Sequence, residues 1–236
     1  QIPMVTSLNG KDTLTSNNKL NMGVVGTYSR ASANRVVVEA DFVLFIGTDL
    51  GGMITNFWTT PKIGIPAIQI DTDPEVMGRN YPLKVSILGD AKLTIDEMVE
   101  RADPGTASSR TEWISKVKGY SDAWYLEYNS LLTSDAVPIR PERICHELSK
   151  NLPDDAVVVV DTGHGGMWMG GMYDLKSPKQ NYMRSGGHLG WAFPAALGAK
   201  SAVPDRPVVC FTGDAGFWYH IGEIETAVRW NINAVI

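Results

Sequence analysis

Three short segments carry the residue types that could hold a phosphate and a metal: Asp161-Thr162-Gly163-His164-Gly165-Gly166, Ser185-Gly186-Gly187-His188-Leu189-Gly190 and Gly213-Asp214-Ala215-Gly216. Glycine lets backbone N–H groups approach a phosphate closely, and a run of such groups forms an anion-binding concavity. The start of a following helix adds a favourable dipole. Asp214 brings a hard carboxylate oxygen, the ligand type Mg²⁺ takes when protein and substrate phosphates hold it jointly. The chemistry these residues suggest is a diphosphate–metal site. Gly-Asp at a strand end also reads as a turn with Asp214 capping the next helix. Asp71 and Asp73 are read as turn and capping residues.

Ligands of an open parallel sheet bind outside the carboxyl ends of its strands, so the three segments need such strands before them. The sequence supplies them. Continuous apolar runs ending in Gly or acidic residues occupy 41–47, 66–73 and 84–90, and helical spacing follows over 91–102. Residues 33–40 close a short helix. A second unit begins at Asp154: a β-branched run over 156–160, a Gly-rich loop entering a helix of small residues over 185–200, and a strand over 206–212. Residues 221–230 are helical, and Asn233-Ala234-Val235-Ile236 starts a further strand. Between the units, 103–110 is rich in Pro, Gly and Ser and reads as a linker. Helices are predicted over 111–132 and, after Pro141, over 141–152. The fold class is α/β: two Rossmann-like, doubly wound parallel-sheet units joined by a linker and helices. The divisions are 1–102, 103–140 and 141–236.

With 236 residues, 44% hydrophobic and 20% charged, the composition is that of a soluble globular protein of one or two domains. The net charge of −5, with no long Lys or Arg run, argues against nucleic acid or an anionic membrane as partner. No stretch reaches the ~18 apolar residues of a membrane span. Cys145 and Cys210 show no metal or redox spacing and read as buried thiols in a reducing compartment. Together with the lack of a signal peptide, this points to the cytoplasm. The chain opens at Gln1, and its first ten residues read like mid-domain material.

Taken together, the three loops resemble the thiamine-diphosphate enzymes of the acetolactate synthase and 2-oxo-acid decarboxylase family. Residues 161–168, Asp-Thr-Gly-His-Gly-Gly-Met-Trp, are similar to that family's Asp-x-Gly-Gln-His-x-Met-Trp segment. Residues 185–199 resemble its Ser-Gly-Gly loop followed by Pro-Ala-Ala-x-Gly-Ala. Residues 213–223 resemble the start of its Gly-Asp-Gly…Asn-Asn motif, with Ala215 for the third Gly. Residues 21–34 and 68–92 look like its central domain. The resemblance implies a central domain over 1–102, a linker and connecting helix over 103–140, and a thiamine-diphosphate-binding domain over 141–236. It implies decarboxylation or carboligation of a 2-oxo acid, with thiamine diphosphate and Mg²⁺, in a homodimer or homotetramer.

Residue by residue, it implies that Asp214 is a Mg²⁺ ligand and that Gly163, His164, Gly165, Gly213, Ala215 and Gly216 face the diphosphate. The carbonyl of Gly187 would meet the 4′-amino group. Leu189 would hold the cofactor bent, and His188 would face substrate. His164 also reads as a solvated loop residue, His188 as a local hydrogen-bonding one and Leu189 as core. His220 is read as structural, and Trp168, Trp191 and Trp218 as packing.

Two departures matter. The family's Gly-Met-His-Gly becomes Gly26-Thr27-Tyr28-Ser29, and its Arg-Phe-Asp-Asp-Arg becomes Asp49-Leu50-Gly51-Gly52-Met53. Asp in place of Arg repels a dinucleotide phosphate, which argues against FAD. The resemblance also places the family's second metal ligand, an Asn, beyond Ile236 and its activating Glu before Gln1. The chain thus reads as a piece that does not turn over by itself. A dinucleotide-binding oxidoreductase and a non-catalytic relative are the alternatives; no strand–GxGxxG–helix fingerprint supports the former.

Overall fold

A computed structural model describes residues 1–103, 105 and 110–236. Most of the predicted linker over 103–110 therefore lies outside the described residues. Among the described residues there are eight short strands, five of them formed by the predicted apolar runs, and every pairing between them is parallel. In chain order the elements are β1 (Met4–Thr6), β2 (Asn21–Val24), α1 (Ala31–Glu39), β3 (Val43–Ile46), β4 (Ala67–Asp71), β5 (Val85–Leu88) and α2 (Ala91–Glu100). There follow α3 (Thr111–Leu132), α4 (Pro141–Asn151), β6 (Val157–Val160), α5 (His164–Met172), β7 (Asn181–Met183), α6 (Ala192–Ala202), β8 (Val208–Phe211), α7 (Asp214–Tyr219) and α8 (Glu223–Arg229).

The strands assemble as β1-β2, β3-β4-β5 and β7-β6-β8. Parallel neighbours need crossovers; α5 and α6 supply them in the second unit, whereas turn-rich segments without an α-helix join β1 to β2, β3 to β4 and β4 to β5 in the first. All four valines of β6 are buried, as a central strand covered on both faces requires. The first unit thus holds two sheets rather than one. The predicted strand at 233–236 is reduced to a single bridge, Val209 to Val235.

The apolar spacing of α2 does not become a buried face. Leu93 and Val99 are 69% and 67% exposed, and no residue of this helix is buried. Its start is nevertheless well specified, since Asp90 accepts from the Leu93 N–H at 2.9 Å.

Helix α5 was not legible, because four of its nine residues are glycine, each costing about 1 kcal/mol of helix propensity relative to Ala. Packing explains it. A Cβ on Gly170 would stand 2.7 Å from the Tyr28 carbonyl oxygen, and one on Gly171 would stand 3.0 Å from that of Ser29. The glycine face lets the segment after β2 lie directly on α5. Leu8 and Val24 of the first unit accordingly share one core with Cys145, Val158, Val160, Met169 and Tyr173 of the second. Arg30 pins the contact: Nε donates to Gly171 O at 2.9 Å, and a terminal nitrogen pairs with Asp174 at 2.8 Å.

Gly170→Ala should therefore destabilise the fold by about 1–3 kcal/mol, because overlap with backbone outweighs the propensity gain. On the same helix, a Cβ on Gly165 meets only the Phe211 ring, at 3.4 and 3.5 Å. Gly165→Ala should therefore leave the fold as stable or stabilise it by up to about 1 kcal/mol, since the propensity gain meets no overlap. Denaturant midpoints of the two variants check this pair.

Candidate functional site

The strand order β7-β6-β8 brings the segments that follow these strands to one end of the sheet. What ties them together is Asp161, 1% exposed and directly after β6. Its carboxylate accepts from the Thr162 N–H at 2.7 Å, from the Gly190 N–H at 3.0 and 3.2 Å, and from the Thr212 hydroxyl at 3.0 Å. One buried carboxylate thus joins all three loops, and the donors supply the partners that a buried charge needs. Gly216 is buried against it: a Cβ there would overlap the Asp161 carboxylate and come within 2.9 Å of Thr212 Oγ1. Gly190, at φ +87°, packs against α7 at a point where a Cβ would lie 2.7 Å from Tyr219 Cβ.

The outer faces of the same loops are open. A Cβ on Gly163, Gly186, Gly187 or Gly213 would meet nothing within 4 Å. Gly163 and Gly187 have φ of +82° and +96°, a region that favours glycine. Gly163 is the N-cap of α5, so its neighbours His164 and Gly165 form the first turn. His164 is exposed, its ring 5.7 Å from that of Trp168. His188, Leu189, Asp214 and Ala215 are also exposed. Leu189, at 37%, is therefore not a core residue.

Gly213, and not Asp214, is the N-cap of α7, which removes the capping reading of that aspartate. Among the described residues the Asp214 carboxylate has no hydrogen-bond or ion-pair partner, and no cluster of three His, Cys, Asp or Glu could hold a metal. A cation at Asp214 would thus take the rest of its shell from ligand, carbonyl or water oxygens, the mode in which Mg²⁺ binds with phosphates.

Asp71 and Asp73 accept from the backbone N–H groups of Asp73 and Glu75, as turn residues do. Trp168 and Trp191 pack against the cores of the second unit. Trp218 does not: it is 67% exposed, while its neighbour Phe217 takes the core-facing position on α7. Cys145 and Cys210 are buried free thiols, and burial pushes both up to about 12. They are inert at neutral pH.

Two residues at these loops had no role assigned from the sequence. Asp161 opened the first Gly-rich segment but was given no function of its own, although an Asp directly after the apolar run 156–160 was a usable signal. Arg184, after β7, gave none. It donates to Thr162 Oγ1 at 3.1 Å, lies 5.6 Å from the Tyr28 ring centre and keeps its Nε buried without a partner among the described residues.

Residues 1–98 match the family model of the thiamine pyrophosphate enzyme central domain, and residues 161–236 that of the C-terminal TPP binding domain. The chain is 34% identical to a probable acetolactate synthase large subunit of Methanococcus aeolicus, over 100% of this chain and 41% of the relative. It is 30% identical to the acetolactate synthase large subunit of Parasynechococcus marenigrum (strain WH8102), over 98% and 37%. It is 28% identical to the sulfoacetaldehyde acetyltransferase of Castellaniella defragrans, over 98% and 42%. The chain spans about two fifths of the length of these relatives.

Proposed function

We propose, for a chain that belongs to the thiamine pyrophosphate enzyme family, that the protein binds thiamine diphosphate with Mg²⁺ beyond β6, β7 and β8 and uses it on a 2-oxo acid. The observation that carries this reading is the set of three glycine-rich loops that Asp161 holds at one end of the sheet, with the exposed, unpartnered Asp214 carboxylate on one of them. The exposed backbone of Gly163, His164 and Gly165, with that of Gly213 and Ala215, would bind the diphosphate. Gly216 would set the close approach of α7 to Asp161. Asp214 would hold the Mg²⁺, Gly187 would offer its carbonyl to the aminopyrimidine, and Leu189 would support the ring from one side. His188, in the same loop, would face the substrate.

When bound, the cofactor supplies a stabilised carbanion for decarboxylation or carbon–carbon bond formation; the protein contributes orientation and electrostatics. Relatives named as acetolactate synthases and as an acetyltransferase support a carboligation or acyl-transfer outcome. Flavin is not part of the reading. Asp49 puts an exposed carboxylate after β3, where its side chain accepts from the Gly51 N–H at 3.2 Å. Large exposed side chains on α7 and α8, among them Trp218, Tyr219 and Val228, support an oligomer.

The test is calorimetric titration of thiamine diphosphate into the protein expressed from its whole gene, with Mg²⁺ and with EDTA. The expected result is stoichiometric binding that EDTA removes. Absence of binding in both conditions would overturn the proposal.

A further inference from the structure

A second site lies at the other end of α5, away from the glycine-rich loops. There a cavity of about 170 Å³ opens between the two units, lined among others by Lys11, Arg30, Lys118, Asp122, Tyr125 and Asp174. Lys11 is 6% exposed. Its Nζ donates to Gly170 O at 2.9 Å and has no other hydrogen bond among the described residues. Arg30, 5% exposed, caps the adjoining carbonyl of Gly171.

Among the described residues, Asp174 is the one carboxylate that bonds either of these buried cations, and its bond goes to Arg30 and not to Lys11. Asp174 accepts from Arg30 at 2.8 Å and from the Tyr125 hydroxyl at 2.9 Å. The other groups facing Lys11 do not compensate. Tyr182 of β7 presents its ring, 6.0 Å from Nζ, and Cys145 of α4 is a neutral thiol. The neighbouring Asp12 accepts from the Tyr182 N–H at 3.1 Å. On α3, the exposed Lys118 adds a positive charge and Asp122 a negative one at the rim. A buried cation without its own counter-charge is costly, and the space beside it is large enough for a ligand of several non-hydrogen atoms.

We infer that this cavity is a binding site for a small oxyanion, a carboxylate or a sulfate-like group, held by Lys11 and Arg30 where the two units meet. The electrostatics of Lys11 support the same conclusion. Burial, then Arg30, pushes its ammonium group down to about 7 against the opposing pull of Asp174. An anion in the cavity would reverse this and return Lys11 towards its ordinary value. Binding then takes up a proton wherever free Lys11 is neutral, that is, above about pH 7, and takes up none well below it. The site is independent of the thiamine diphosphate reading, since it uses neither Asp214 nor the glycine-lined loops.

The test is calorimetric titration of sodium sulfate and of sodium acetate, against a sodium chloride control of equal ionic strength, into the protein expressed from its whole gene. Neither anion titrates between pH 6 and 8. Paired buffers of different ionisation enthalpy count the protons. The expected result is binding of at least one anion, about tenfold weaker at pH 8 than at pH 6, with uptake approaching one proton per anion at pH 8. Preference for sulfate would assign a tetrahedral ligand, and preference for acetate a planar carboxylate. Lys11→Met should abolish binding, while Lys11→Arg should keep it and remove both the pH dependence and the proton uptake. If Lys11→Met does not fold, the proton count on the unaltered protein decides. No heat beyond the chloride control, no proton uptake at pH 8, or unchanged binding in folded Lys11→Met would overturn the inference.

Discussion

Asp214→Ala should abolish Mg²⁺-dependent binding of thiamine diphosphate, weakening it by more than about a hundredfold. The argument is one of ligand supply. Asp214 is exposed on one of the three glycine-rich loops, and no three-residue metal cluster exists among the described residues to replace it. Its immediate neighbours, Gly213, Ala215 and Gly216, bring no side-chain donor. Removing the carboxylate therefore removes the charge that offsets the cation, and the diphosphate loses the ion that would hold it. The same substitution should leave the fold intact, with a stability change within ~0.5 kcal/mol, because the side chain is exposed and unpartnered. Calorimetry with and without Mg²⁺ reads the first effect, and denaturant unfolding the second. Unchanged affinity would remove Asp214 from the site. Lost affinity together with a large loss of stability would mean that the aspartate supports structure instead.

Asp161→Ala should have the opposite profile: a loss of about 3–5 kcal/mol of stability, with cofactor binding lost as a consequence. The carboxylate is buried, and its acceptor oxygens satisfy the N–H groups of Thr162 and Gly190 and the hydroxyl of Thr212. Deleting it strands those donors at about 1–3 kcal/mol each, partly relieved by relaxation or water, and leaves a void against Gly216. Against a total stability of about 5–15 kcal/mol, that removes a large share of what holds the fold together. Asp161→Asn keeps the volume and one acceptor oxygen but turns an amide N–H₂ toward a donor, so it should fall between the two. Chemical denaturation of both variants gives the ranking. A loss below ~1 kcal/mol for Asp161→Ala would show that the three loops hold together without this hub.

Part of this protein was determined by local sequence. The valines of β6, the apolar run of β4 and the helix of small residues at α6 declare themselves through burial pattern and period, which depend only on near neighbours. The turn roles of Asp71 and Asp73 are local in the same sense, since each bonds a backbone group two residues on. The positions of Gly213 and Asp214 at a strand end were legible for that reason too.

What only the tertiary structure decided involves partners far apart in the chain. Asp161 becomes a hub because Gly190 and Thr212 lie 29 and 51 residues away and reach it through the β7-β6-β8 order. Helix α5 forms against its own propensity because its glycines admit the backbone of Tyr28 and Ser29, more than 130 residues earlier. Lys11 looks in sequence like any surface lysine, yet the same docking buries it 159 residues from its acceptor, Gly170. The apolar stripe of α2 shows the converse: spacing creates a face, but no neighbour covers it among the described residues. Periodicity states what a segment could bury. Which segments meet, and which charges are left without a partner when they do, follows from the topology that brings distant residues together.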